Sequence, residues 1–181
     1  MLGLIPARGG SRRIPGKNIK LLDGRPLIAW TILEALKSAW LDHVVVSSDN
    51  AEILEIAQEY GAEPLARPHD LAKDDSPMYG VILHTLALIP SSHVCLLQPT
   101  SPFRTVADID GCIVAGGQEK ACVSATEGTD VPNGAVYVGR EDWLRAGGNF
   151  DTPGLLRYFM PASRSLDINT PDEFSAAEKI A

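Results

Sequence analysis

The chain has 181 residues, of which 45% are hydrophobic and 22% are charged, with a formal net charge of −7. These proportions are ordinary for a soluble globular protein, and the length suits a single domain over residues 1–181 with a substantial core. The acidic balance argues against nucleic acid as a bulk electrostatic partner. No apolar run is long enough to span a membrane, so we expect no membrane partner either.

The cysteines and the first residues bear on cellular location. Cys95, Cys112 and Cys122 are widely spaced, odd in number and set in apolar surroundings. Buried free thiols in a reducing cytosol are the expected state of such residues, and no Cys/His spacing predicts a zinc site. A signal-peptide pattern is not seen, because Gly, Arg and Pro interrupt the first apolar run almost at once. We therefore expect a cytoplasmic protein.

The first predicted element is a short apolar strand that leads into a glycine-rich, cationic loop. The loop spans residues 6–18 and contains three glycines, which let a backbone turn sharply and bring its N–H groups close to an anion. Arginine side chains match phosphate oxygens bidentately. The pattern predicts a polyphosphate cradle at the carboxyl end of the first strand, where open α/β sheets bind ligands. An ordinary solvated turn is the alternative, since the loop is neither a P-loop nor G-x-G-x-x-G. The four cations of the loop are Arg8, Arg12, Arg13 and Lys17.

Strands and helices then alternate along the chain, which predicts a three-layer α/β/α fold with a mostly parallel sheet and right-handed crossovers. After the strand Val44–Val46, Asp49 is expected to cap a helix that ends at Gly61, although a metal-ligand role for Asp49 is the alternative. Further on, Ser76 is expected to cap a helix whose first residue is Pro77.

The second half of the chain continues the pattern. After the strand Val94–Leu97, Thr105 is expected to cap a helix. Strands over 121–126 and 131–138 follow. Thr170 and Glu173 form a capping box with Pro171 at the first helical position.

Two polar residues, Asp167 and Asn169, precede the last predicted helix. On an extended chain they would lie on one face. Two oxygen ligands suit Mg²⁺, which prefers one or two carboxylates plus substrate phosphates. A plain turn residue is the alternative for Asp167.

The order of residues 6–18 resembles the signature of the acylneuraminate cytidylyltransferases, the CMP-sialic acid synthetases. Further stretches resemble family motifs at residues 67–77, 96–104, 133–137 and 167–170. The resemblance implies a GT-A-like, Rossmann-like nucleotidyltransferase that uses CTP and a divalent metal, usually Mg²⁺. It also implies transfer of CMP to the anomeric hydroxyl of an acidic sugar, with release of pyrophosphate.

The resemblance also implies roles for individual residues. It implies catalytic roles for Arg8, Lys17 and Asp167, and metal binding by Asp167 and Asn169. Sugar contacts fall to Gln98, Thr100, Ser101, Tyr137 and Phe150. Nucleotide contacts fall to Ala7, Arg8, Gly9, Gly10, Ser11, Lys17, Asn18, Arg67 and Ser76.

Each of several residues has a structural alternative. Arg67 could instead form a surface ion pair with Asp70 or Asp74. Tyr137 and Phe150 could be core aromatics.

The chain departs from the family between residues 127 and 132. Family members usually carry a much longer insertion there, which supplies cations for the sugar carboxylate and much of the dimer contact. A homodimer and the identity of the sugar therefore stay open, and the remaining cations for a carboxylate would be Arg140, Arg157 or Arg164. Two alternatives follow: a nucleotidyltransferase for another sugar acid or sugar phosphate, and a nucleotide-binding protein without turnover.

Overall fold

Seven strands form one sheet, in the order β5-β4-β1-β6-β8-β7-β9. The computed structural model describes residues 1–73, 76–117 and 119–181. Strands β2 and β3 form a separate small hairpin. The strands are β1 (Leu2–Pro6), β2 (Leu21–Leu22), β3 (Arg25–Pro26), β4 (His43–Ser48), β5 (Glu63–Ala66), β6 (His93–Leu97), β7 (Ala121–Thr126), β8 (Pro132–Arg140) and β9 (Leu156–Met160).

The sheet is parallel except at one strand. Strand β8 pairs antiparallel with both β6 and β7, whereas β1 pairs parallel with β4 and β6, and β7 pairs parallel with β9. A parallel sheet brings the carboxyl ends of its strands to the same edge. The loops that follow β1, β4, β5 and β6 therefore meet there, and the predicted mostly parallel α/β fold is confirmed.

Helices cover both faces because side chains alternate across each strand. Ile5 and Val46 join a core with residues of α1, α2 and α4. Leu4 and Leu96 point the other way, into a core that includes residues of α3 and α5. This arrangement is the predicted three-layer architecture. The helices are α1 (Leu27–Ala35), α2 (Ala51–Glu59), α3 (Met78–Leu88), α4 (Val106–Gly116), α5 (Glu141–Arg145) and α6 (Pro171–Ala177).

Two predicted helix starts are confirmed. At α4, Asp108 Oδ2 accepts a hydrogen bond from the backbone N–H of Thr105 at 2.9 Å. At α6, the Thr170–Glu173 capping box is present, with Pro171 at the start of the helix. Both caps satisfy N–H groups that a helix leaves without intrahelical partners.

Two other predicted caps are wrong. The N-cap of α2 is Asn50, whose side chain accepts from Ile53 N at 3.1 Å, because Asp49 lies one residue too early. The N-cap of α3 is Pro77, without a side-chain cap. Ser76 Oγ donates instead to the carbonyl of Asp70 at 2.7 Å.

Candidate functional site

A cavity of about 500 Å³ opens where the loops after β1, β5 and β6 meet. Its volume is in the range of small-molecule binding sites. The cavity is the place where the sheet brings together several of the predicted site residues. Those among its lining are Arg8, Ser11, Lys17, Asn18, Arg67, Ser76, Gln98 and Thr100.

The described lining of this cavity is strongly cationic. It contains six basic side chains and, over the residues described, no acidic one. The chain as a whole has a net charge of −7, so this concentration of positive charge is local. A concave cluster of one sign attracts ligands of the opposite sign, here a polyanion. The six are Arg8, Arg12, Arg13, Lys17, Arg67 and Lys73.

The cationic loop is held in place by the turn between β4 and α2. Gly9 N donates to Asp49 Oδ1 at 3.0 Å, so Asp49 supports the loop. A Cβ on Gly9 would lie 2.8 Å from Cβ of Asn50, which leaves room only for glycine. At the far end of the loop, Asn18 Nδ2 donates to the carbonyl of Arg8 at 3.0 Å. The loop therefore has a defined conformation in which its cations face the cavity.

Lys17 joins this loop to the segment that carries Asp167. Its ammonium donates to the carbonyl of Ile168 at 2.9 Å. Burial lowers the pKa of Lys17, the carboxylate of Asp167 opposes that effect, and the nearby Arg13 and Arg8 add to it. The ammonium thus sits in a site that disfavours its charge until an anion arrives.

Arg67 follows β5 and is 7% exposed. Its Nε and Nη2 atoms are buried without a hydrogen-bond partner, and Asp49 Oδ1 is 3.9 Å from Nη2. Burial lowers the pKa of Arg67, although Asp49 opposes this. Buried donors are nearly always satisfied in folded proteins, so unused donors at a cavity wall point to a ligand.

The alternative of a surface ion pair for Arg67 is wrong as far as Asp70 is concerned. Asp70 pairs with Lys73 at 2.6 Å, and Arg67 is not at the surface. Asp74, the other acid considered, lies outside the described residues.

Asp167 and Asn169 lie side by side next to the cavity, as predicted. Asn169 Nδ2 donates to Asp167 Oδ2 at 2.6 Å, and Asn169 Oδ1 accepts from Arg13 Nη2 at 3.4 Å. The backbone is anchored by Ile168 N, which donates to the carbonyl of Thr100 at 2.7 Å. The other carboxylate oxygen, Asp167 Oδ1, is buried and has no hydrogen-bond partner.

This pair of residues fits a divalent cation that has few protein ligands. A buried carboxylate oxygen without a partner is costly unless something positive or a donor meets it. Within the described residues, no group of three or more His, Cys, Asp or Glu side chains is placed to hold a metal ion. Asp167 Oδ1 together with ligand phosphates makes a site of the kind that Mg²⁺ uses, whereas the amide oxygen of Asn169 accepts from Arg13 in this structure.

The start of β8 packs directly against Asp167. Gly134 has φ of 81°, and a Cβ there would lie 3.3 Å from Asp167 Cγ. The neighbouring Asn133 is buried and accepts from Ser124 Oγ at 2.6 Å while donating to Ser165 Oγ at 3.1 Å. The Asn-Gly pair therefore shapes the wall behind the carboxylate.

The residues predicted to contact a sugar fall into two groups. Gln98 and Thr100 line the cavity, and the hydroxyls of Thr100 and Ser101 are buried without partners. Tyr137 and Phe150 are outside that lining, with ring centroids 5.4 Å apart in the core beside β8. Burial, with Asp167 adding to it, raises the pKa of Tyr137 to about 12. The sugar role of these two aromatics stays a prediction.

The three arginines considered for a sugar carboxylate all pair with acids of this chain. Arg164 donates twice to Asp108, at 2.8 Å each. The other two pairs are Arg140 with Asp142 at 2.5 Å and Arg157 with Asp130 at 3.3 Å. None of the three lines the cavity.

Two basic residues were not predicted as part of the site. Lys73 lines the cavity, but it occupies a variable position of the resembled motif, so the motif does not mark it. Arg104 is 1% exposed behind the cavity and makes three hydrogen bonds. Its place in the Pro-Thr-Ser-Pro-x-Arg stretch was the available signal, because a charged residue amid apolar neighbours requires partners.

Curated relatives match the chain over part of their length. CMP-N,N'-diacetyllegionaminic acid synthase of Legionella pneumophila is 46% identical over 110 residues, which is 58% of this chain and 47% of the relative. Pseudaminic acid cytidylyltransferase of Campylobacter jejuni is 44% identical over 107 residues, or 56% of this chain and 46% of the relative. The chain thus spans about half the length of the curated relatives it matches.

A longer alignment and the solved structures extend the similarity to nearly the whole chain. N-acylneuraminate cytidylyltransferase of Streptococcus agalactiae is 28% identical over 209 residues, which covers 94% of this chain and 51% of the relative. A structure of CMP:2-keto-3-deoxy-manno-octonic acid synthetase with CTP superposes with a TM-score of 0.83 at 14% identity, covering 99% of this chain and 97% of that one. Rv0371c of Mycobacterium tuberculosis in complex with manganese superposes with a TM-score of 0.73 at 12% identity, covering 98% and 97%.

A sequence profile completes the comparison. The profile described as cytidylyltransferase matches residues 2–133, which include the cationic loop, Arg67 and Gln98. The matched range is well over half of the 181 residues, and it contains most of the cavity lining. The chain therefore belongs to the cytidylyltransferase family.

Proposed function

We propose that this protein transfers CMP from CTP to the anomeric hydroxyl of an acidic sugar, an N-acylneuraminate or related nonulosonate, and releases pyrophosphate. The observation that carries the proposal is the cavity at the carboxyl end of β1, with six cations in its lining and Asp167 beside it. The relatives that match at 44–46% identity are named for such transfers.

The cations support the phosphate chemistry. In the transfer, the sugar hydroxyl oxygen bonds to the α-phosphorus, the bond to the bridging oxygen breaks, and pyrophosphate leaves. Catalysis of this step is largely positioning and neutralisation of negative charge. Arg8 and Lys17 both line the cavity, which supports their proposed contacts with the triphosphate, and the ammonium of Lys17 is oriented by its bond to Ile168. A triphosphate would also relieve the repulsion that Lys17 experiences from Arg8 and Arg13.

Arg67 and the nearby loop support recognition of the base. A base edge is recognised by fixed donors and acceptors, and Arg67 presents two buried donors without protein partners. Cytosine carries two neighbouring acceptors, N3 and O2, on the edge that also carries its amino group, which suits such donors. Ser76 also lines the cavity, and its hydroxyl is fixed by the bond to Asp70.

Asp167 and Asn169 are the residues that would hold Mg²⁺. The ion, when bound, neutralises phosphate charge and lowers the pKa of the attacking hydroxyl. The chain keeps Asp167 aligned through the hydrogen bond from Asn169 and the backbone bond between Ile168 and Thr100. Asp167 is also our candidate to take up the hydroxyl proton through a water molecule.

The acceptor is proposed from the relatives rather than from contacts in the cavity. The segment between β7 and β8 is short, and the three arginines considered for a sugar carboxylate are committed to ion pairs with Asp108, Asp130 and Asp142. A different sugar acid or a sugar phosphate is therefore the second candidate acceptor. We further propose a cytoplasmic location and leave open a homodimer.

The test is pyrophosphate release in the presence of Mg²⁺ and CTP. The acceptors are N-acetylneuraminate, N,N'-diacetyllegionaminate, pseudaminate and a set of sugar phosphates. We expect release with one acid sugar, and a loss of about 10²-fold or more in Asp167→Ala. Asp142→Ala, which alters an exposed carboxylate away from the cavity, is the matched control and should retain full activity. CTP binding without release for any acceptor would refute the proposed transfer.

A further inference from the structure

Arg104 is a fully buried cation that touches three separate segments. It is 1% exposed, and its guanidinium donates to the carbonyl of Ala135 at 2.9 Å and to Thr31 Oγ1 at 2.8 Å. Its third bond goes to the carbonyl of Gln98. All three acceptors are neutral groups, so the charge is held by oriented dipoles rather than by a contact with a carboxylate.

Each of the three acceptors belongs to a segment that carries one part of the site. Thr31 lies in α1, and the first turn of α1 is bound to the cationic loop because Ile28 N donates to the carbonyl of Asn18 at 2.9 Å. The side chain of Gln98 lines the cavity at the end of β6. Ala135 follows Gly134, whose Cα faces Asp167.

The planar guanidinium suits this task, since its donors have fixed directions and can reach three acceptors at once. Burial lowers its pKa to about 10, which leaves Arg104 protonated at neutral pH. Lysine at this position would keep the charge but concentrate its donors on one atom. A neutral side chain would remove one donor from each of the three acceptors, and a buried acceptor left without another donor carries an unfavourable free energy.

We propose that Arg104 is a positioning residue for the CMP transfer: through these three hydrogen bonds it fixes the distance between the cationic loop, the Gln98 wall and the strand behind Asp167. This inference rests on the proposed function. Arg104 acts through residues that line the site and lies outside the cavity lining itself. The cationic loop has further supports, the bonds from Gly9 N to Asp49 and from Asn18 to the carbonyl of Arg8. Loss of Arg104 should therefore disturb the Gln98 wall, on the acceptor side, more than it disturbs nucleotide binding by the loop.

The test compares Arg104→Lys with wild type and with Thr85→Val. Thr85 is buried in α3 and its hydroxyl donates to the carbonyl of Val81 at 2.9 Å, without a bond to Arg104, so Thr85→Val reports the effect of a buried hydrogen bond on stability alone. For Arg104→Lys we expect KM for the sugar acid to rise at least tenfold, with Kd for CTP changed less than threefold. Thr85→Val should lower Tm while leaving both constants within twofold.

Hydrogen exchange gives a readout that does not depend on turnover. In Arg104→Lys we expect faster amide exchange at residues 98–101 and 133–136, but unchanged exchange in β4 and β5. A folded Arg104→Lys variant with lower Tm and an unchanged KM for sugar would overturn the inference. So would failure of both Arg104→Lys and Arg104→Gln to fold, which would assign the residue to the core. Absence of release by wild type would instead refute the proposed function, and exchange would still test the positioning.

Discussion

A substitution at Lys17 should change catalysis strongly and folding only slightly. Replacing it with Met keeps most of the side-chain volume but removes the ammonium that donates to Ile168. Loss of one preorganised charge that faces the transferred phosphate costs on the order of 10²- to 10³-fold in kcat, or about 3–4 kcal/mol. We expect Lys17→Met to fall in this range.

Folding should change much less, and the pKa of Lys17 gives the sign. Burial, Arg13 and Arg8 lower that pKa, so the charged form is less favourable in the folded protein than in the unfolded chain. Removing the charge relieves this cost, which offsets the lost hydrogen bond to Ile168. The free energy of unfolding should therefore change by no more than about 1 kcal/mol.

The assay measures kcat and KM for CTP by pyrophosphate release, together with urea unfolding of the same preparations. Lys20→Met is the matched control, since the ammonium of Lys20 lies 4.0 Å above the ring of Phe174 and outside the cavity lining. The control should keep full activity. A Lys17→Met enzyme with kcat within threefold of wild type, or an equal loss in Lys20→Met, would show that the charge of Lys17 is not used in the transfer.

Two further predictions concern the scaffold. The arginine-bound carboxylate of Asp108 has a lowered pKa, since its hydrogen bonds outweigh the opposing effect of burial. Asp108→Asn should lower the free energy of unfolding by about 2–3 kcal/mol near neutral pH. This difference in unfolding free energy should shrink as the pH falls below 3.8, the ordinary pKa of an aspartate, because the carboxylate of the wild type then becomes protonated. Asp142→Asn, at an exposed carboxylate, should leave the unfolding free energy unchanged. A difference that does not depend on pH would contradict a stabilising role for the charge of Asp108. Gly134→Ala and Gly128→Ala both place alanine at φ of 81° and should each cost about 1–2 kcal/mol. Only Gly134→Ala should also reduce turnover, because its Cβ meets Asp167, whereas the space around Gly128 is open; equal turnover in both variants would contradict this.

Much of the site was predictable because it depends on residues that are close together in the sequence. The cationic loop follows the first strand, and a parallel sheet sends that strand's carboxyl end to the ligand edge. The pairing of Asp167 with Asn169 followed from their spacing on an extended segment. The caps of α4 and α6 were predictable for the same reason, since a capping box spans four residues.

The two wrong helix caps show where neighbouring residues in the sequence are not enough to predict the structure. Asp49 and Asn50 are both good N-cap residues, and the choice between them depends on which backbone conformation the neighbouring loop permits. The carboxylate of Asp49 accepts a hydrogen bond from Gly9 N, forty residues away in sequence, and Asn50 caps α2 instead. Ser76 Oγ likewise donates to the carbonyl of Asp70, six residues earlier, instead of capping α3.

The sequence by itself determined the α/β class, the cationic loop and the family, because each is encoded in periodicity or in contiguous motifs. Only the tertiary structure decided which cations face the cavity and which are bound elsewhere. Arg67 and Arg164 have the same charge and are both near a carboxylate, yet one keeps unused donors at the cavity and the other is tied to Asp108. The three partners of Arg104 could not be predicted either, since they come from α1, the residue that follows β6, and β8, and meet only when the sheet and its helices pack together.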